Sequence, residues 1–231
     1  MRSAVVAAVA MAFVISVPAR ATLIGTQVTG ALYFVGYPQN FFDPVNGRVP
    51  AGYLNFAGST VTISSNAVEY GFADGTATIT ADFTGAQLVV TDTPQVTATY
   101  NPLQMVFTDP LFTDLATVSD SFPSGGMAGA LSGDVITLSW PGGPVTNGVS
   151  LRVVFNVSVP PSPLLSIQLT PTNAVVISWP APSTGFSLQQ NSNLNPTNWV
   201  NVSTTPLVTN GLNQVTVSPP AGTRFYRLTF F

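Results

Sequence analysis

The chain reads as all-β, with a larger antiparallel sandwich of jelly-roll-like kind followed by a second, smaller sandwich. Apolar and polar residues alternate over short runs, the pattern of strands half buried in a sheet. No window sustains a capped i, i+3, i+4 helical pattern for more than about two turns. The runs are broken by Asn, Asp, 19 glycines and 20 prolines in 231 residues, the types that turn a chain between strands. Many short strands so punctuated bury their apolar faces against a second sheet.

Taken in order, residues 28–35 and 59–64 are the first strands. Val68, Tyr70 and Phe72 then share one face, and Ala77, Ile79, Ala81 and Phe83 share another. Between them stands Ala73-Asp74-Gly75, where Asp-Gly offers the positive φ angles of a tight hairpin. Strands follow over 87–91, 103–108 and 135–140. Residues 151–159 put Leu151, Val153, Phe155, Val157 and Val159 on one face, with Arg152, Asn156 and Ser158 on the other.

Three prolines in the five residues Val159-Pro160-Pro161-Ser162-Pro163 cannot continue a sheet and favour an extended spacer. The expected organisation is a domain over 22–159, a linker over 160–163 and a small domain over 164–231. Charge changes at the same place, because all nine acids lie between Asp43 and Asp134 while 164–231 holds none. Strands are expected there over 165–170, 174–179, 186–190, 199–203, 214–218 and 223–230. Trp179 and Trp199 are expected to fill a core near the lower size limit for stability without staples. In the closing run Arg224 to Phe231, the phase Tyr226, Leu228, Phe230 is apolar throughout and suits a core-facing strand. The opposite phase places Arg227 on a would-be lipid face, which argues against a barrel strand.

Residues 1–21 combine a charged start at Arg2, an apolar run from Ala4 to Val17 and an Ala19-Arg20-Ala21 site. These are the parts of a secretory signal peptide cleaved before Thr22, and the apolar run is short of the roughly 20 residues that span a bilayer. Cysteine is absent, so a secreted chain of this kind relies on its core instead of disulfides. There is also no Lys and no His, and the four arginines after residue 21 face nine acids. That balance argues against nucleic acid, which is bound by clustered cations, and against contact with anionic lipid headgroups.

Residues 40–92, from Asn40-Phe41-Phe42-Asp43 through Val68-Glu69-Tyr70-Gly71-Phe72 to Asp92, resemble exported bacterial proteins of the exosortase-sorted, PEP-CTERM class, here without that class's Pro-Glu-Pro tail. The stretch Val175-Val176-Ile177-Ser178-Trp179-Pro180 is similar to the tryptophan-bearing second strand of fibronectin type III. With 186–202 and the closing strand, it resembles a short fibronectin-like module found at the C-terminus of exported bacterial proteins. The resemblances imply a protein secreted to the extracellular space or cell surface of a bacterium, and they transfer no catalytic residue.

Without His or Cys, a Ser-His-Asp or Cys-His arrangement cannot be built, and neither a phosphate-cradling loop nor a nucleophile elbow is present. A glycosidase-like pair of aspartates is the one enzymatic alternative, and no spacing singles out a pair. Calcium is the one cofactor the oxygen donors suit: Asp109, Asp114 and Asp120 lie within 12 residues of loop-like sequence, and Asp43 stands near Asn46-Gly47. Candidate ligand contacts are Tyr37, Phe41, Phe42 and Tyr53, the aromatics of residues 36–53, which suit stacking on an extracellular polysaccharide. The bland reading of these rings is burial under a loop that wraps the sandwich. The expected role is a non-enzymatic structural or interaction protein, with a carbohydrate-binding module as the alternative.

Overall fold

Strands make up almost all of the regular structure, and their buried faces are largely the ones the alternation marks. The structure, a computed structural model, describes residues 22–160, 163–183, 185–193, 198–218 and 222–230. The expected signal peptide, residues 1–21, Pro161 and Ser162 of the expected linker, and Phe231 lie outside the described residues. These form two compact units, one over 22–160 and one from 163 onward.

The larger unit contains β1 (Gln27–Phe34), β2 (Thr60–Thr62), β3 (Tyr70–Ala73), β4 (Ala77–Phe83), β5 (Gln87–Pro94) and β6 (Ala98–Tyr100). It continues with β7 (Leu103–Thr108), β8 (Asp114–Asp120), β9 (Ala128–Ser132), β10 (Val135–Trp140), β11 (Gly143–Val145) and β12 (Leu151–Ser158). Two five-stranded antiparallel sheets run β2-β1-β7-β10-β9 and β3-β4-β5-β12-β8, with β6 and β11 as a two-stranded ribbon. Leu32, Met105, Phe107 and Leu138 of the first sheet and Ile79, Phe83, Leu88 and Phe155 of the second are all buried. Phe83 meets Phe107 edge to face at 5.2 Å across the sandwich, a favoured geometry for aromatic pairs.

The structure corrects the reading of 109–120 as loop, because β8 occupies Asp114–Asp120. That strand is the edge of its sheet, and none of its side chains is buried. The alternation likewise leaves β6, β9 and β11 unmarked, and β5 continues past residue 91 to Pro94. In the Asp74-Gly75 turn only Gly75 takes a positive φ, at 87°. Asp74 works through its side chain instead, accepting from the Thr76 N–H at 2.8 Å, the Thr76 hydroxyl at 2.7 Å and the Ala77 N–H at 3.1 Å.

The smaller unit contains β13 (Ser166–Leu169), β14 (Val175–Pro180), β15 (Phe186–Asn191), β16 (Val200–Asn201), β17 (Leu207–Thr209), β18 (Leu212–Val217) and β19 (Phe225–Phe230). They form sheets β13-β14-β18-β17 and β16-β15-β19. Ile177, Trp179, Leu188 and Val215 are its buried core, with Tyr226 and Leu228 packed against it. The closing run is therefore a strand of this sandwich, and β19 pairs with β15 from Phe225 opposite Asn191 to Phe230 opposite Phe186. Trp199 departs from expectation. It stands outside that core cluster and lies under the Arg227 guanidinium, 4.3 Å from the ring centre.

Candidate functional site

Residues 35–58 leave β1 and return to β2 as a wrap along one flank of the larger unit. The wrap is held by two asparagine amides. Asn40 Oδ1 accepts from the Leu32 N–H at 3.0 Å and the Phe42 N–H at 2.9 Å, its Nδ2 donates to the Gly30 carbonyl at 3.1 Å, and the Phe41 N–H donates to the Leu32 carbonyl at 2.8 Å. These bonds take the side of β1 that β2, only three residues long, leaves open. Asn55, fully buried, accepts from the Gly71 N–H at 2.9 Å and donates to the carbonyls of Phe42 and Gly71. The Ala73 N–H donates to the Arg48 carbonyl, and the N–H groups of Leu54 and Asn55 donate to Val68 and Glu69. The outer edge of β3 is thereby satisfied, as a sheet edge sheltered from water requires.

The four candidate aromatics are divided by this wrap. Phe42 is buried in the core, tilted against Tyr70 at 5.0 Å and Phe107 at 6.2 Å, so its ring belongs to the interior. Phe41 is half-buried in a cluster with Phe34 at 5.2 Å and Phe72 at 5.7 Å. Tyr53 is also half-buried, its ring laid over Gly71 where a Cβ would collide with it. Tyr37 is 55% exposed and stands on the edge of Phe41 at 6.0 Å. Of the four, Tyr37 alone presents most of a ring to solvent.

A groove of about 560 Å³ opens beside the start of the wrap, lined in part by Tyr33, Val35, Gln104, Ser139, Trp140 and Pro141. Tyr33, Gln104 and Ser139 are register neighbours across β1, β7 and β10. The lining carries no carboxylate and no cation. Trp140 is buried and donates through Nε1 to the Pro123 carbonyl at 2.9 Å, which fixes the indole from behind.

Most of the carboxylates serve the backbone. Asp43 caps a short 3₁₀ turn, Pro44–Asn46, by accepting from the Val45 N–H. Asp109 accepts from the Leu111 N–H and the Thr26 hydroxyl, Asp114 from the Leu115 N–H, and Asp120 from the Phe122 and Met127 N–H groups. Asp114 and Asp120 are the two ends of β8, about 20 Å apart at a strand's rise of about 3.3 Å per residue, so they do not share one ion. Glu69, buried, bridges the N–H groups of Ser64 at 2.8 Å and Phe83 at 2.7 Å. Burial pushes its carboxyl up to about 7 against the opposing pull of those bonds.

Asp92 differs from all of these. It lies on β5 between Ile79 of β4 and Leu151 of β12, has no exposed surface, and neither carboxylate oxygen has a hydrogen-bond partner among the described residues. Burial, with the Asp74 charge adding to it, pushes the carboxyl up to about 7, because the ionised form is costly without water or a partner.

Asn40, Asn55 and Asp92 escaped sequence reasoning. An amide that completes a ladder has no periodic signature, though the alternation Leu88, Val90, Asp92, Pro94 places Asp92 in phase with the core. Comparison with known protein families, curated proteins and solved structures finds no match.

Proposed function

We propose that the protein is an exported, non-enzymatic component of a bacterial cell surface or extracellular matrix, working by contact and not by chemistry. The observation that carries this reading is how the carboxylates are used: Asp43, Glu69, Asp74, Asp109, Asp114 and Asp120 each accept a backbone N–H. Side chains so engaged cap turns and edges. The signal-peptide pattern of 1–21 supports export.

A second reading, binding of a neutral polysaccharide, is favoured by the groove. Its lining combines aromatic and amide or hydroxyl groups without charge, the chemistry that stacks on sugar rings and hydrogen-bonds their hydroxyls. Exposed Tyr37 adds a ring beside it in sequence. Binding to immobilised neutral glycans, measured for wild type, Y37A and Q104A, tests this. Loss of binding in the folded variants selects the saccharide reading, whereas unchanged binding removes this surface from it. Phe42→Ala does not serve as a ligand probe, since it would open a cavity in the core.

A further inference from the structure

We propose that the outer face of the β16-β15-β19 sheet binds a carboxylate-bearing polysaccharide, with the Arg227 guanidinium as the carboxylate contact. The proposal uses none of the residues of the groove and stands whether or not the groove binds a neutral sugar.

The arginine is fixed before any ligand arrives. Its Nε and Nη2 donate to Gln189 Oε1 at 2.9 and 2.8 Å. Gln189 is held in turn, because its Nε2 donates to Asn201 Oδ1 at 3.1 Å. Register makes this a row across the sheet, with Asn201 opposite Gln189 and Gln189 opposite Arg227. The guanidinium plane is supported on the Trp199 ring at 4.3 Å, a cation–π contact.

A guanidinium has five N–H donors in a rigid fork, and the bonds to Gln189 occupy the Nε side of it. The fork formed by Nη1 and Nη2 points away from that side and matches the two oxygens of a carboxylate. Arg227 is exposed, and the sequence from 164 to 231 contains no Asp or Glu to neutralise it. Holding the fork in advance removes part of the ordering cost of binding.

The surroundings select a saccharide. Strand alternation puts Ser187 and Thr229, an opposed pair, on the same face as Gln189 and Arg227. The strip therefore combines hydroxyls, amides, one cation and an aromatic ring, which suits hydroxyl-rich rings carrying a sparse negative charge. Phosphate-rich polymers call for clustered cations, and this row has a single one.

Titration of the full chain with polygalacturonate, dextran and poly-glutamate tests the proposal, with R227Q and R224Q as variants and near-UV circular dichroism as the check on folding. Polygalacturonate is expected to bind and dextran not to bind at this face. R227Q is expected to weaken the acidic polymer at least about tenfold, the ratio that corresponds to about 1.4 kcal/mol, while R224Q leaves it unchanged. Absence of wild-type binding, full binding by R227Q, or equal loss in both variants overturns the site. Equal binding of poly-glutamate overturns the saccharide assignment. Should R227Q not fold, R227K decides: it keeps the charge and lacks the fork, so the same loss supports the proposal and full binding refutes it.

Discussion

The ring of Tyr70 occupies the space over Gly30 on the opposite sheet, where a Cβ would collide with it, and its hydroxyl donates to the Val28 carbonyl at 2.7 Å. The pair joins the two sheets at the flank that the wrap covers. Gly30→Ala is expected to destabilise the larger unit by about 1–3 kcal/mol, the usual cost of overpacking. Urea unfolding should show a lower midpoint with the slope preserved; an unchanged midpoint would mean that Tyr70 moves aside freely.

Asn55→Ala removes the side-chain bonds to the Gly71 N–H and to the carbonyls of Phe42 and Gly71. Leaving buried backbone groups unpaired is expected to cost about 3 kcal/mol. Amide hydrogen exchange should accelerate at Gly71 ahead of the β10 core. Uniform acceleration across both sheets would instead show that the wrap and the sandwich open as one.

Asp92 stays neutral in the folded unit up to about pH 7, whereas an unfolded Asp ionises above about pH 4. Between those limits the folded state binds the extra proton, so stability falls as pH rises, at up to about 1.4 kcal/mol per pH unit for this one group. Buried Glu69, also raised to about 7, adds a fall of the same sign. D92N cannot ionise and should flatten the dependence and exceed wild type at pH 8. Parallel wild-type and D92N curves would show that the carboxylate finds compensation.

The alternation made some strands readable to the residue: 103–108, 135–140 and 77–83 coincide with β7, β10 and β4. Those strands have one buried and one wetter face, which is what a period of two reports. Strands β8 and β9 have no buried side chain, so neither face left a pattern, and their Asp and Gly residues read as turns. The apolar alternation of β5 ends before the strand does, because Asp92 occupies a core position. The aromatic wrap was visible as a stretch of sequence. Which of its rings faced inward was not, since that follows from Asn40 and Asn55 and not from periodicity.

Leu228 packs on the small core and lies opposite Leu188 in the β15–β19 pair. Leu228→Asp should unfold the smaller unit, since it replaces apolar packing on a small core with a partly desolvated carboxylate that has no partner. Calorimetry is expected to show the transition of 22–160 unchanged when that segment is expressed alone or carried in the variant. A shift of both transitions together would refute independent folding.

The two flanks of the larger sandwich are finished differently, and this limits how copies of it could polymerise. On one flank the wrap occupies the outer edge of β3 and the open part of β1. On the other lie β8 and β9, the terminal strands of their sheets. Strand-to-strand addition needs a free edge, and an endless cross-β filament needs one at each end of every building block. With its wrap in place the first flank offers only the outer edge of β2, three residues long against seven in β8 and five in β9, so it is the poorer template for edge pairing. Loosening Asn55 would bare the outer edge of β3 and turn that poorer template into a second usable one.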